Sequence, residues 1–281
     1  TADGTTPPTG ESLTVFRRWM IMAAITSSTT LYAMTILIVS VVLPQMQGSL
    51  SATPDQISWV MTFNILATAV VTPMSGWLAG RFGWRRVMLV SQAGFCIATF
   101  LCGIADSLES LVLYRIMQGA FGAPTIPLAQ AIILDIFPRR QHSLVTSIFG
   151  MGVVVGPILG PIFGGYLTEL YNWRYAFYML VPLAAFGFFC LWVFLNDGGR
   201  RANIRFDWTG FLLLAASIAS LQLVLDRGQR LDWLDSYEII LEIVIGCCAI
   251  YAFLIHSFMA ERPFLDLRLL ADRNYSFGLL I

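Results

Sequence analysis

The sequence predicts an all-α membrane protein with eight transmembrane helices and the start of a ninth. Of the 281 residues, 57% are hydrophobic and only 12% are charged, and the mean hydropathy is +0.72. A soluble domain carries about twice that charged share and has a largely polar surface, so it could not bury so much apolar side chain. The apolar residues also form runs of about 20, the length that a helix needs to cross a hydrocarbon core about 30 Å thick.

Eight such runs follow a polar leader, residues 1–18, which we expect to be a cytoplasmic tail. The first run is too long for the apolar core of a signal peptide, and no small-residue cleavage site follows it. It is therefore a true span. The predicted spans are residues 19–43, 57–79, 87–104, 110–134, 143–166, 175–195, 209–225 and 237–258.

A charged stretch follows the eighth span, and residues 274–281 begin a further apolar run. Eight residues are too few to cross a membrane. We expect the sequence to be the N-terminal part of a longer protein; the alternative is that a partner chain completes the ninth helix.

The basic residues predict the orientation of the chain. All 17 are arginine. With the N-terminus in the cytoplasm, 13 arginines lie inside, three lie outside and Arg115 lies within a span. This bias follows the positive-inside rule. The eight tryptophans lie near predicted span ends, where we expect them to anchor the protein at the membrane interface.

Composition also excludes several classes of function. The 17 acidic and 17 basic residues cancel, so no strong positive field indicates a nucleic-acid partner. Without lysine, the chain has neither a P-loop lysine nor a Schiff-base lysine. His142 and His256 are the only histidines, which argues against a histidine-based metal site. We expect no metal and no cofactor.

Arg115 is the only ionisable residue well inside a predicted span. It lies about 8 Å from the outer end of the fourth span by helical rise, so snorkelling to the interface is one interpretation. However, Arg115, Gln118, Gly119 and Gly122 lie at i, i+3, i+4 and i+7 and therefore share one helix face. A guanidinium and an amide beside two glycines are typical of a face turned toward other helices. We therefore favour a functional role inside the bundle.

Four glycines recur at every fourth position of the fifth span. Small residues at this spacing form a stripe along which another helix can approach closely. Pro157 and Pro161 follow two of the glycines, and each proline removes a backbone hydrogen bond and can kink the helix. The stripe predicts an interface that packs tightly and rocks. Its glycines are Gly152, Gly156, Gly160 and Gly164.

The connection between the second and third spans is rich in glycine and arginine. Gly83 can end a helix, and a helix C-terminus favours the cations that lie there. By itself the segment is only a positively charged cytoplasmic loop. Its notable residues are Gly76, Leu78, Arg81, Gly83, Arg85 and Arg86.

In this order and spacing, the three features resemble the major facilitator superfamily. The loop is similar to that family's cytoplasmic GxLxDRxGRR motif, residues 113–119 to its fourth-helix RxxQG motif, and residues 152–165 to its fifth-helix antiporter motif. Residues 173–177 and 206–208, with two additional spans after the sixth, resemble the fourteen-helix drug:proton antiporter branch, the EmrB-like multidrug efflux permeases. The resemblance covers residues 19–281, and the fifth-helix motif is its most specific part.

The resemblance implies a domain plan and a function. Residues 19–195 would form the N-terminal six-helix transporter half, as two inverted three-helix repeats, residues 196–258 two linker helices, and residues 259–281 a cytoplasmic loop and the start of a second half. The implied activity is proton-coupled efflux of drugs or other amphipathic molecules across a bacterial inner membrane. The implied partners are the lipid bilayer, the substrate and protons, together with a periplasmic adaptor and an outer-membrane channel.

The same resemblance implies roles for single residues. Arg115 would be a fixed charge beside the proton path, with Gln118 and Gly119 shaping its surroundings. The glycines and prolines of the fifth span would form the rocking interface. The loop residues would form the cytoplasmic gate; they are Gly76, Arg81, Gly83, Arg85 and Arg86.

Two positions depart from the family pattern. Gly80 stands where the loop motif has aspartate, so a latch between that acid and the arginines is altered or supplied elsewhere. Thr35 stands where many relatives have a titrating acid in the first helix. Glu238 and Glu242 lie near the outer end of the eighth span, and the spans are otherwise nearly free of carboxylates. No obvious membrane acid in this sequence can therefore be assigned to carry the proton.

Two other functions remain open from the sequence. An importer or facilitator could use the same fold. A polytopic membrane enzyme or assembly factor is the second alternative, but such an enzyme should carry acids, histidines or cysteines clustered at one depth, and the sequence has no such cluster.

Overall fold

The computed structural model describes residues 14–195, 206–260, 264 and 265. Within these residues the secondary structure is helical, with ten α-helices and three short 3-10 helices and no strand. Eight helical segments are long and apolar enough to cross a membrane, which confirms the predicted all-α membrane class and its eight spans. The predicted tail and the start of the ninth helix lie outside the described residues. The α-helices are α1 (Val15–Ser49), α2 (Pro54–Val71), α3 (Ser75–Phe82), α4 (Trp84–Gly103), α5 (Leu108–Gly122), α6 (Thr125–Ile136), α7 (His142–Leu170), α8 (Arg174–Phe194), α9 (Trp208–Arg227) and α10 (Tyr237–Met259).

Side-chain caps fix where several spans begin. Thr53 precedes α2 and forms a capping box, in which its hydroxyl accepts from Gln56 N (3.3 Å) and Gln56 Oε1 accepts from Thr53 N (3.1 Å). Ser107 caps α5 in the same way with Ser110. These caps satisfy amides that have no partner within the helix, so each helix begins at a defined residue.

Prolines shape three spans differently from the prediction. The first span continues through Pro44 to Ser49, although the predicted span ended at residue 43. The helix continues because Met46 is fully buried in the core, and this packing offsets the one backbone hydrogen bond that Pro44 removes. The second span is α2 and α3 joined by the 3-10 turn Thr72–Met74, and the fourth span is α5 and α6 with a break before Thr125.

Residues 14–195 fold into a six-span bundle. α1 packs against α7 and α8, α2 packs against α5, and α4 packs against α5 and α8. One apolar cluster includes the second half of α1 and the first half of α8, and another includes the first half of α1, most of α6 and the end of α8. Large apolar side chains on the opposite faces are exposed, among them Val154, Ile158 and Phe186. Exposed apolar surface of this kind is typical of a protein that lies in a bilayer, and it accounts for the high apolar content.

Trp173 corrects one expectation about the tryptophans. Its side chain is 1% exposed, so it packs in the bundle and is not an interfacial anchor. Nε1 donates to Ser49 Oγ at the end of α1 (2.7 Å). The neighbouring Arg174 guanidinium stacks 4.5 Å from the Trp173 ring centroid and donates to the Ala105 carbonyl oxygen after α4 (2.8 Å). These contacts join the ends of three spans.

A second compact unit comprises Asn203–Ile281, and its described part is the pair α9 and α10. Asp207 caps α9, accepting from Gly210 N (2.9 Å), and its carboxylate also lies 2.9 Å from His256 Nε2. At the other end of the pair, Arg227 forms ion pairs with Glu238 (3.1 Å) and Glu242 (3.6 Å). Side-chain contacts therefore join the helix pair at both ends, an Asp–His contact at one and two ion pairs at the other.

Candidate functional site

The centre of the site is Arg115, which α5 places in the interior of the six-span bundle. Its side chain is 1% exposed, so the guanidinium does not extend to the membrane interface. Nε donates to the Val60 carbonyl oxygen of α2 (3.2 Å), and Nη1 donates to Gln118 Oε1 one turn along α5. Both acceptors are neutral, and together they fix the plane of the guanidinium.

Gln118 extends the network from α5 to α4. Its Nε2 donates to Thr99 Oγ1 (2.7 Å), and Thr99 Oγ1 donates in turn to the Phe95 carbonyl oxygen (2.7 Å). Thr99 is fully buried. The side-chain amide of Gln118 therefore accepts a hydrogen bond from the Arg115 guanidinium and donates one to the Thr99 hydroxyl, and these two bonds fix its orientation within the site.

A second chain of polar contacts joins α5 to α2 and α1. Asn64 Nδ2 donates to the Arg115 carbonyl oxygen (2.8 Å), and the Asn64 carbonyl accepts from Thr68 Oγ1 (2.8 Å). Thr68 Oγ1 also shares a hydrogen bond with Tyr32 Oη of α1 (2.8 Å). The sequence interpretation missed Asn64, Thr68, Tyr32 and Thr99. The sequence signal that could have found them is a polar side chain in the middle of an apolar span. Such a group needs hydrogen-bond partners and therefore tends to face the inside of the bundle.

The two glycines of the Arg115 face allow these helices to approach. A methyl group added at Gly119 would meet the Asn64 carbonyl and lie 3.0 Å from Thr68 Oγ1, and one added at Gly122 would meet the Tyr32 ring. The residues predicted to share one face of the fourth span are all buried: Arg115, Gln118, Gly119 and Gly122.

No acidic side chain among residues 14–195 and 206–260 forms an ion pair with Arg115. Thr35, at the position of the family acid, is 2% exposed, and its hydroxyl donates to the Tyr32 carbonyl oxygen of its own helix (2.6 Å). A buried charge without an opposite charge is unfavourable, and an anionic group placed beside it would be stabilised. The arrangement can therefore hold an anion or favour the deprotonated form of an acid.

The glycine stripe of α7 faces α1 along its whole length. Methyl groups added at Gly152 and Gly156 would meet Thr26 Cγ2 and the Thr30 carbonyl oxygen, respectively. Added at Gly160, a methyl carbon would lie 2.8 Å from Met34 O, a distance that real Cβ contacts essentially never show. At Gly164 the nearest atom would be Ile38 Cγ1 at 2.6 Å. The four glycines thus lie against helix α1 at successive turns, namely at Thr26, Thr30, Met34 and Ile38.

Pro157 and Pro161 do not interrupt α7, which runs unbroken from His142 to Leu170. The α1–α7 contact also includes a hydrogen bond from Thr30 Oγ1 to the Gly152 carbonyl oxygen (2.7 Å). Farther along the two helices, Gln45 Nε2 of α1 donates to the Thr168 carbonyl oxygen of α7 (2.9 Å). The interface therefore combines close backbone approach with these two side-chain hydrogen bonds.

The loop between the second and third spans is centred on Gly83, which has φ 85° and ends α3 by donating to the Ala79 carbonyl oxygen (2.9 Å). Only glycine adopts this backbone region without strain. Arg85 Nη2 donates to the Trp192 carbonyl oxygen of α8 (3.0 Å). Arg81 and Arg86 form no hydrogen bond or ion pair with the part of the chain that the structure describes. Gly76 is not closely packed there, since an added methyl group would meet nothing within 4 Å.

Comparison with known proteins agrees with this architecture. Residues 25–278 match the family described as the Major Facilitator Superfamily. The multidrug export protein EmrB of Haemophilus influenzae is 36% identical over 93% of this chain and 51% of its own length. The fatty acid resistance protein FarB of Neisseria gonorrhoeae is 36% identical over 86% of this chain and 48% of its own length. The chain spans about half the length of the curated relatives that it matches.

Two solved structures share the fold. A double-tryptophan mutant of XylE superposes with a TM-score of 0.58 at 14% identity, over 76% of this chain and 50% of that one. The human organic anion transporter MFSD10 also gives a TM-score of 0.58 at 14% identity, over 85% of this chain and 73% of that one. With the family match, the eight spans and the motif-bearing helices all in agreement, the chain belongs to the major facilitator superfamily.

Proposed function

We propose that the protein is a secondary active transporter that exports amphipathic small molecules across a bacterial inner membrane in exchange for protons. The names of its relatives support export, since they include multidrug export proteins and a fatty acid resistance protein at 36% identity. In this proposal the N-terminus lies in the cytoplasm, residues 19–195 are the N-terminal transporter half and residues 196–258 hold the linker helices.

The observation that carries the proposal is the buried, acid-free environment of Arg115. The guanidinium has only neutral partners among the described residues, so an acid brought near it would lose its proton more readily. An acid that approaches Arg115 in one conformation and leaves it in another would release a proton on one side of the membrane and take one up on the other. Proton binding and the conformational change would then be coupled.

The α1–α7 interface supports the proposed conformational change. Close backbone approach along the glycine stripe leaves few long side chains to interlock, so α1 and α7 can move as a pair or tilt against one another. In the proposed topology the loop centred on Gly83 lies at the cytoplasmic side, where Arg81, Arg85 and Arg86 contribute to the gate.

The direct test is transport in everted membrane vesicles that contain the full-length protein. Imposing a proton gradient should drive a fluorescent amphipathic dye into the vesicles, and a protonophore should abolish the accumulation. Arg115→Ala should lose gradient-driven accumulation at equal protein content, whereas Arg139→Gln, which removes an exposed arginine from another connection, should retain it. Gradient-driven loss of dye from preloaded vesicles would show import and overturn the proposal.

We extend the proposal to a periplasmic adaptor and an outer-membrane channel as partners, by family resemblance. Cross-linking in whole cells followed by identification of covalently joined partners tests it. Absence of any adaptor from the cross-linked products, in cells that export the dye, would contradict this part alone.

A further inference from the structure

An apolar groove of about 460 Å³ lies between the second, third and fourth spans. We call it the Arg86 groove. Its lining is nearly all apolar and includes Leu78 and Phe82 of α3, Val90 of α4 and Phe121 of α5. Among the described residues, Arg86 is the single charged residue of this lining. A volume of this size suits one chain-like or drug-sized ligand.

The loop beside the groove has more positive charge than the described residues neutralise. Arg81 and Arg86 are exposed and form no hydrogen bond or ion pair within the described ranges, whereas Arg85 donates to the Trp192 carbonyl. Gly80 precedes these arginines at the position where the family motif supplies an aspartate. The loop therefore lacks its own acid, and Arg86 is available to an anion from outside the loop.

The groove has the length of one membrane leaflet. Its lining on the second span runs from Val71 to Phe82, eleven residues apart, which corresponds to about 16 Å of helix. The hydrocarbon core is about 30 Å thick, so one leaflet contributes about 15 Å. Arg86 lies in the first turn of α4, which begins the third span, so in a bilayer it would lie near the membrane surface with the apolar lining extending toward the bilayer centre.

We propose that the Arg86 groove binds one anionic phospholipid of the adjacent leaflet, with an acyl chain along the apolar lining and the phosphate at Arg86. In the proposed topology this is the cytoplasmic leaflet. Basic pockets between transmembrane helices at that surface favour anionic headgroups. A zwitterionic lipid would fill the same groove but would bring a positive charge next to Arg86. This proposal concerns lipid binding and is independent of which compound is exported.

The test uses full-length protein in nanodiscs that contain equal amounts of phosphatidylglycerol and phosphatidylcholine. In each sample one of the two lipids carries a photoactivatable acyl chain, and labelled residues are identified by peptide mass spectrometry. We expect phosphatidylglycerol to label groove residues about five times more than phosphatidylcholine, the factor that corresponds to the ~1 kcal/mol contributed by one arginine near an anionic surface. Arg86→Gln should reduce this ratio to about one, whereas the exposed Arg139→Gln should leave it unchanged.

A second pair of variants tests the acyl chain independently of charge. Val90 lines the groove and is 60% exposed, whereas Ile97 lies farther along the same helix, outside the groove, and is 58% exposed. Val90→Phe should strongly reduce labelling of the groove by either lipid, and Ile97→Phe should not. Equal labelling by both lipids would mean ordinary annular lipid, and absence of groove labelling would mean that protein covers the groove; either result overturns the proposal.

Discussion

Replacing Gly160 by alanine tests whether the backbones of α1 and α7 must touch. A methyl carbon at this position would lie 2.8 Å from Met34 O and 3.2 Å from Ile38 N. Both atoms belong to the backbone of α1, so no side chain can rotate away, and the two helices must separate by several tenths of an ångström to accommodate the methyl group.

The size of the effect follows from a matched variant on the same helix. Gly165→Ala introduces the same methyl group, but its nearest neighbour would be Val41 Cγ1 at 3.7 Å, an ordinary contact. Any gain from replacing a helical glycine is common to both variants and cancels in the comparison. The difference in the free energy of unfolding is then the overpacking penalty, about 1–3 kcal/mol.

The measurement is reversible unfolding of purified full-length protein in mixed micelles, followed by circular dichroism at increasing denaturing detergent. We expect Gly165→Ala to match or exceed the wild type and Gly160→Ala to fall below it. In transport assays the larger changes Gly156→Leu and Gly160→Leu should abolish efflux while the protein still reaches the membrane. Equal stability of the two alanine variants, or full activity of the leucine variants, would refute the close-approach argument.

Three further predictions address other parts of the molecule. In proteoliposomes, Arg115→Ala should uncouple drug efflux from proton movement, and Arg115→Lys should rescue it only in part because lysine lacks the planar five-donor fork; near-normal coupled efflux by the alanine variant would contradict a role in the proton path. Burial alone would raise the pKa of Asp207, but hydrogen bonds from neighbouring amides and from His256 hold it below its usual value. Asp207→Asn should therefore destabilise the protein at pH 7. The difference in stability between the variant and the wild type should be lost as the pH falls below about 3.9, toward the lower folded-state pKa of Asp207. Unfolding measured at pH 7 and at low pH checks this prediction, and a difference that does not depend on pH would contradict it. In a cysteine-free background, an impermeant thiol reagent added to intact cells should label Asp106→Cys and leave Arg139→Cys unlabelled, and the reverse pattern would invert the topology.

The number and position of the spans could be predicted because apolar length is a local property of the sequence. Span ends were less predictable. The predicted first span ends at residue 43, just before Pro44, but Met46 packs in the core and the helix continues through the proline. The local sequence does not show whether tertiary packing outweighs one lost hydrogen bond, because that packing exists only in the folded bundle.

The face of α5 that carries Arg115 was likewise predictable in its local part and not in its tertiary part. Its helical spacing predicted that Arg115 and Gln118 lie together, because residues three apart on a helix are neighbours whatever surrounds them. The sequence did not predict that Asn64 and Thr99 complete the network. They lie on two other spans, and which of their faces turn inward depends on the rotation and tilt of whole helices.

The glycine stripe also has a consequence for how α1 and α7 find their register. Glycines recur every four residues on α7, and the residues they meet recur every four residues on α1, so a slide of about 6 Å would place each glycine against the next position along. Shape alone discriminates weakly between these offsets, because the equal spacing gives similar packing at each of them. Two hydrogen bonds select one offset, from Thr30 Oγ1 to the Gly152 carbonyl oxygen and from Gln45 Nε2 to the Thr168 carbonyl oxygen. A slide in one direction would bring Val41 to the Thr168 carbonyl, and a slide in the other would bring Met34 to the Gly152 carbonyl. Neither side chain has a donor, so neither slide keeps both hydrogen bonds. These two hydrogen bonds thus set the register of the helices, and Thr30→Val combined with Gln45→Leu would be expected to leave the helices paired while broadening the range of offsets at which they pair.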